Sequence, residues 1–316
     1  MRAEMKRHPS VDVIIPAYRP DAGLRELLER LEKQTYPAGH ILVINTDESL
    51  WDPRLTEGIK TAEVFQIPKS RFDHGGTRDM GAGFSNADIL LFMTQDAVPK
   101  DADLIYRLVQ AFRDPDVKAA YARQVPDEHC QIIEGYTRQF NYPDAEMKKT
   151  AADLPRLGIK TYFCSNVCAA YDHEMYKEIG GFTRPCIFNE DMIYGGRLIR
   201  LGYAIRYVAS ASVIHSHNYS NGEQFHRYFD NGVSQAMHPE IFKGVPSARE
   251  GKKLVSRTRH YLSSIGRGYL IPHLYMQSFC KLAGFRLGKA YRILPKALVM
   301  KCTWNKDFWS YHGSDD

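Results

Sequence analysis

The chain has 316 residues, 44% of them hydrophobic and 25% charged, with a formal net charge of +5. That length and composition suit one large α/β domain with an appendage, or two modest domains, and exclude a disordered polymer. The six cysteines show no paired zinc spacing, because Cys164 and Cys168 lack a second pair; they read as buried free thiols of a reducing compartment.

The opening MRAEMKRHPS is polar, and VDVIIPAY after it is too short for the apolar region of a signal peptide. No stretch approaches the ~18 apolar residues of a spanning helix. These features predict a cytoplasmic protein, held at most on a membrane surface. Charge is uneven: residues 243–306 carry 14 Lys or Arg and one acid, Glu250, while residues 1–242 are net acidic. A basic segment of this kind attracts an anionic surface.

In chain order, Val11–Ala17 is a β-branched run ending in a loop. Leu24, Leu27, Leu28 and Leu31 fall at helical spacing, after a cap region at Pro20-Asp21. His40–Asn45 and the weaker Ala62–Gln66 read as strands, and Gly75–Asn86 as small-residue helix or loop. The unbroken apolar run Ile89–Met93 suits a strand buried on both faces. Asp101–Phe112 reads as a helix and Val117–Arg123 as a strand. Beyond them come a strand (Tyr162–Ala170), a helix (His173–Ile179), a break at Gly180-Gly181, a helix (Met192–Leu201), two strands (Ala204–Val208 and Ser212–Ile214) and a helix (Gly222–Met237). After Pro239 the composition turns basic, and residues 250–302 read as basic amphipathic helices. The division is therefore 1–240 and 241–316.

Alternating strands and helices predict a mostly parallel, doubly wound α/β sheet whose ligands bind beyond the strand tips. Four places there could carry chemistry. Asp96, after the buried strand, suits a divalent cation bridging a diphosphate, or a helix cap near Asp101. Asp191, at a helix start, is either an acid favoured by the dipole or a general base, with Glu190 as the fallback. In Asp73–Asp79 two glycines let backbone approach a ligand, and Arg78 suits a phosphate; the GK[ST] ending of a Walker loop is missing. His215 and His217 would point to one side if their strand continues, and one could join Asp96 on a cation.

Together these segments resemble family-2 glycosyltransferases of the GT-A fold. The likeness rests on VDVIIPAYRP with LLERLEKQTYP, on HGGTRDMGAGFSNADILLFMTQDAVP, on GGFTRPCIFNEDMIYGGRLIRLGYAIRYV and on VIHSHNYS…FHRYFDNGV, in the expected order over about residues 10–240. FDHGGTRD, TQDAVP and HSHNYS look most like bacterial rhamnosyltransferases that build cell-surface polysaccharides.

The resemblance implies a GT-A mixed sheet flanked by helices, with a C-terminal helical extension. It implies an inverting transfer of a sugar, L-rhamnose from dTDP-L-rhamnose, to a glycan or polyprenyl-diphosphate-linked acceptor. Asp96 falls on the last acid of the family's metal motif, for Mg²⁺ or Mn²⁺, with Thr94 and Gln95 replacing the acids before it. Asp191 falls on the catalytic base and Arg78 on the donor-loop arginine. Asn45 falls where many members read the pyrimidine with an aspartate, and His215 or His217 on the metal-binding histidine. Pro16, Ala17, Tyr18, Asp47, His74, Gly75 and Gln95 complete the expected donor site.

Three other uses remain open to a sequence of this kind: a transferase for a different nucleotide-sugar, a nucleotidyltransferase, and a non-catalytic GT-A-like binder with a weakened metal site. A nucleotidyltransferase would need a glycine-rich loop where AYRPDAG stands. Nucleic acid is not expected as a partner, since no recognition module accompanies the basic tail. That tail is expected to lie on an anionic membrane at the inner face of the plasma membrane, or to serve as a helical cap or homodimer contact.

Overall fold

The computed structural model describes residues 8–245 and 248–312. The start of the N-terminal stretch expected to carry no signal (residues 1–7), and residues 246–247 and 313–316 of the basic tail, lie outside the described residues.

The strands are β1 (Val11–Tyr18), β2 (Ile41–Thr46), β3 (Ala62–Ile67), β4 (Ile89–Met93), β5 (Val98–Pro99), β6 (Val117–Val125), β7 (Met147–Lys149), β8 (Cys168–Asp172) and β9 (Ala204–Ile214). The helices are α1 (Ala22–Glu32), α2 (His74–Phe84), α3 (Leu104–Gln110), α4 (Ile132–Asn141), α5 (Leu154–Leu157), α6 (His173–Ile179), α7 (Glu190–Arg200), α8 (Asn221–Met237), α9 (Pro239–Phe242), α10 (Ala248–Ser264), α11 (Ile271–Lys289), α12 (Lys296–Cys302) and α13 (Lys306–His312). The strands form one mixed sheet in the order β3-β2-β1-β4-β8-β6-β9-β5, with β7 joined to β9. β3, β2, β1 and β4 run parallel; β8 is antiparallel to both β4 and β6.

Period-2 alternation sends successive side chains to opposite faces. Val13, Ile15, Val43 and Leu91 meet the leucines of α1 and α3 on one face. Ile14, Ile44, Leu90 and Phe92 meet Ala82, Tyr176, Ile193 and Tyr194 on the other. Helices on both faces explain why β4 is a continuous apolar run. α1 starts where Asp21 accepts the Gly23 amide at 2.9 Å, and all four predicted leucines are buried.

Two expected elements differ. Tyr162–Ala170 is not a strand: a 3₁₀ turn over Gly158–Thr161 precedes an irregular stretch, and pairing begins at Cys168. The Lys149 ammonium holds the carbonyls of Lys160 and Phe163, and a Cβ on Gly195 would lie 2.3 Å from the Tyr162 carbonyl oxygen. Those contacts take the carbonyls out of any ladder, although Tyr162 and Cys164 remain buried. The two strands expected over 204–214 are one strand, and the gap between them is a register shift from Ala122/Val208 to Arg123/Ser212. All six cysteines are free.

The C-terminal helices pack back on the sheet domain. A Cβ would lie 2.2 Å from the Phe225 carbonyl oxygen at Gly284 and 2.0 Å from that of Phe229 at Gly288, so α11 touches the α8 backbone through its glycine face. Tyr136 of α4 stacks on Tyr261 of α10 at 4.3 Å. Asp230 of α8 accepts from the Thr303 hydroxyl at 2.6 Å and from the Trp304 and Asn305 amides at 3.0 Å, which anchors α12 and α13. α11 departs from the amphipathic expectation. Opposite its glycines it exposes Tyr275, Phe279 and Leu282, so both faces are apolar or small.

Candidate active site

β5 pairs with the end of β9, Val98 opposite Ile214. This pairing carries Asp96, two residues before β5, to the histidines that follow β9. Asp96 Oδ1 lies 3.5 Å from His215 Nε2, and Oδ2 lies 3.1 Å from His217 Nε2. One ligand atom from each of the three residues falls within 4.8 Å of the others. The strand ends at Ile214, so strand alternation is not what aligns the two histidines.

Gln124, at the end of β6, was invisible to sequence reasoning. It is buried, and its side-chain amide donates to the Tyr142 hydroxyl at 2.6 Å and to Ser165 Oγ at 3.0 Å. Its Oε1 accepts from Arg138 Nη1 and lies 3.1 Å from His215 Nδ1. Gln124 Oε1 is an acceptor for a proton on His215 Nδ1, the tautomer that turns the Nε2 lone pair toward Asp96, while Arg138 Nη1 lies 3.3 Å from the same Nδ1. Burial pushes the His215 imidazole down, toward its neutral form. Burial also pushes Asp96 up, but the two imidazoles beside it outweigh this and hold the carboxyl below the usual range. In the tautomer protonated at Nδ1 a lone pair and an anion face each other, an arrangement that suits a divalent cation between them. One carboxylate and two imidazoles fit such an ion.

The expected donor edge forms at the tips of β1 and β2, where Pro16 pairs with Ile44, Ala17 with Asn45 and Tyr18 with Thr46. Gln95 stitches this edge to the Asp96 turn: its Oε1 accepts the Tyr18 amide at 2.8 Å and its Nε2 donates to the Tyr18 carbonyl at 3.0 Å. Asn45 Nδ2 donates to Gln66 Oε1 at 2.6 Å and to the Asp47 carbonyl at 3.2 Å. Asn45 Oδ1 and the Thr46 hydroxyl are buried without a partner among the described residues. Asp47 sits in the left-handed region at φ 73°, its carboxylate accepting from the Ser49 hydroxyl at 2.6 Å.

The Asp73–Asp79 segment is the start of α2, and much of its chemistry faces inward. Asp73 caps the helix through the Gly76 amide at 2.6 Å and accepts the Cys186 amide at 2.7 Å. A Cβ on Gly75 would lie 2.2 Å from the Thr183 carbonyl oxygen, so the close approach that this glycine permits is to the chain itself. Asp79 accepts the Phe182 amide at 2.9 Å. Arg78 is buried, donating to the His74 carbonyl at 2.8 Å and pairing with Glu190 at 3.2 Å. Burial pushes the His74 imidazole down.

Asn189 adopts φ 64° and turns the chain into α7, so Glu190 and Asp191 occupy its first turn. Asp191 Oδ2 accepts the Asn166 amide at 3.1 Å, and the Asn166 side chain donates to Glu190 at 3.1 Å. The Thr94 amide in turn donates to the Val167 carbonyl at 3.2 Å. Two short links thus join the turn of Asp96 to Asp191. Burial first, and then the neighbouring Glu190, raise the Asp191 carboxyl above the ordinary aspartate range, making it a stronger base.

Residues 12–180 match the family described as Glycosyl transferase family 2. The chain is 34% identical over 302 residues to the O-antigen chain rhamnosyltransferase RfbN of Salmonella typhimurium, spanning 95% of this chain and 96% of that one. It is likewise 34% identical to the O-antigen chain rhamnosyltransferase WbaN of Salmonella anatum, over 96% of each. Among solved structures, the mannosyltransferase PcManGT from Pyrobaculum calidifontis, in complex with GDP-Man and Mn²⁺, shares the fold with a TM-score of 0.56 at 16% identity, covering 93% of this chain and 79% of that one. S. aureus TarS 1–349 with UDP-GlcNAc matches with a TM-score of 0.51 at 13% identity, covering 90% and 91%.

The chain belongs to glycosyl transferase family 2, whose members transfer sugars from nucleotide-sugars with inversion. It is a glycosyltransferase of GT-A fold. No helix among the described residues is long and apolar enough to cross a membrane.

Proposed function

We propose that the protein transfers L-rhamnose from dTDP-L-rhamnose to a lipid-linked glycan in cell-surface polysaccharide synthesis. The reading draws on the two rhamnosyltransferase relatives and on the Asp96–His215–His217 cluster linked to Asp191. Those three residues would hold the cation, and a donor set with two imidazoles favours Mn²⁺ over Mg²⁺. When bound, the ion neutralises charge growing on the departing diphosphate. Asn45 Oδ1, the Thr46 hydroxyl and the Tyr18 segment form the floor for the nucleotide. Gln124 keeps the His215 lone pair toward Asp96. Asp191 removes the proton from the acceptor hydroxyl as it attacks the anomeric carbon on the face opposite the diphosphate, which inverts the centre in one step. Arg78 pairs with Glu190 beside it.

The protein acts at the inner face of the membrane, with α11 on the bilayer. Among the described residues, nine of the fourteen large exposed hydrophobics lie between Ile265 and Trp304, within the basic tail, which is the surface expected of an interfacial helix near anionic lipid. A panel of nucleotide-sugars with Mn²⁺, followed by thermal unfolding, tests the donor: dTDP-L-rhamnose should raise the melting temperature most, by mass action. Stabilisation by UDP- or GDP-sugars alone would reject it.

A further inference from the structure

A cavity of about 600 Å³ opens beside the histidine–aspartate cluster. Arg138 and Tyr219 belong to its wall, with Arg138 Nη1 3.3 Å from His215 Nδ1 and the Tyr219 ring centroid 5.0 Å from that of His217. Its walls come from α4, the segment 142–163, α8, α10 and α11. Helical spacing assembles them: Gln224, Arg227 and Tyr228 share one face of α8, and Glu250, Lys253 and Arg257 one face of α10. Lys281 of α11 completes the rim.

The charge there is one-sided. Eight Lys or Arg line the cavity against two acids, Glu134 and Glu250, although the whole chain carries a net charge of only +5. Glu134 is engaged by Arg138 at 2.7 Å and Glu250 by Lys160 at 2.9 Å. Arg156 pairs with Asp153, and Lys149 is held by the Tyr121 hydroxyl and two carbonyls. Arg227, Lys253, Arg257 and Lys281 meet no carboxylate among the described residues. Arg227 lies over the Tyr219 ring at 4.6 Å, Lys281 over Tyr228 at 5.7 Å and Arg257 over Phe140 at 5.7 Å. Below them, Phe140, Tyr142, Phe163 and Tyr207 supply ring faces. Four cations without carboxylates, above an aromatic floor, fit a ligand that is anionic at one end and carries apolar CH faces at the other.

We propose that this cavity seats the acceptor, with its diphosphate on Arg227, Lys253, Arg257 and Lys281 and its sugar rings against the aromatic floor. The proposal rests on the transferase reading above and adds a binding site to it. The position suits the role: one end reaches the metal-ligand cluster through Arg138 and Tyr219, and the other is built by α11, whose opposite face exposes Tyr275, Phe279 and Leu282. A glycan diphosphate anchored in a bilayer by its prenyl chain would then enter from the membrane side with its sugar toward Asp96.

Calorimetric titration of the full chain with inorganic pyrophosphate and with farnesyl diphosphate, both in EDTA so that the Asp96 cluster holds no cation, reads the cavity without donor chemistry. The parent should bind both probes. The triple variant Lys253→Glu/Arg257→Glu/Lys281→Glu should weaken binding roughly tenfold or more, the loss expected for charge-assisted contacts. A control with the same charge change outside the cavity, Lys252→Glu/Lys296→Glu/Lys301→Glu, should bind as the parent does, and circular dichroism checks that each variant folds. No binding by the parent, or equal weakening in both variants, would overturn the site, the second outcome reducing it to the general field of the basic tail. A chain that bound the diphosphate through these residues but moved no sugar would sink the transferase reading and leave the site standing.

Discussion

The parallel part of the sheet and the C-terminal helices use apolar residues in opposite ways. In β1, β2 and β4 every Val, Ile, Leu, Phe and Met side chain is buried, because α1 and α3 close one face and α2, α6 and α7 the other. In α11 the face against α8 is built on Gly284 and Gly288, with Leu274 and Gln277 also buried, while Phe279 (66% exposed) and Tyr275 (48%) point outward. The first region gains stability by burying area. The second gains contact by bringing two helix backbones together, and leaves its large residues free for something else. Hydrophobicity alone therefore marks the core in one region and an exposed apolar face in the other.

That contrast can be attacked from both sides. The largest effect is expected at the sheet edge. Asp191→Asn should keep nucleotide affinity and cut turnover roughly 10²–10⁴-fold, the usual scale of an acid–base contribution; parent-like turnover would remove Asp191 from the mechanism. Next comes the glycine face. Gly288→Val forces a side chain against a carbonyl that a Cβ would already meet at 2.0 Å, and should destabilise by about 1–3 kcal/mol or more in urea unfolding. A parent-like midpoint would mean that α11 does not pack there.

Asp230→Ala leaves the Thr303 hydroxyl and two amides without their acceptor and should cost roughly 2–3 kcal/mol. The smallest stability change is expected on the outer face. Phe279→Ser should shift unfolding by no more than about 0.5 kcal/mol, as exposed positions do, yet weaken sedimentation with anionic vesicles roughly tenfold. A large loss of stability there would make Phe279 a core residue after all.

A pH profile sharpens the comparison at the site. Because the Asp191 carboxyl is raised, its base form is lost as pH falls through that raised value. The acid limb of kcat should therefore lie above the ordinary aspartate range and vanish in Asp191→Asn. An acid limb near pH 4 in the parent would place the base elsewhere.

Much of the sheet was legible because its signals are local. The leucines of α1 and the unbroken run of β4 carry their own periodicity. The Tyr162–Ala170 stretch misled because a buried apolar run looks the same whether its carbonyls enter a ladder or are held by Lys149. Asp96, His215 and His217 could be singled out as chemical types at strand ends, but their meeting depends on β5 pairing with β9, which no local pattern announces. Gln124 and Asn166 were missed for the same reason: each is an ordinary amide until the fold aims it at His215 or at Asp191 and Glu190. The glycines of α2 were read as room for a ligand, whereas Gly75 makes room for Thr183.

The account turns on a cation held by Asp96, His215 and His217 against the donor's diphosphate. Binding of dTDP, measured by calorimetry for the parent and for Asp96→Ala, each with Mn²⁺ and with EDTA, tests it most directly. Chelation should weaken the parent strongly, Asp96→Ala should match the chelated parent, and EDTA should then change the variant no further. Tight, Mn²⁺-dependent binding that survives the loss of Asp96 would contradict it.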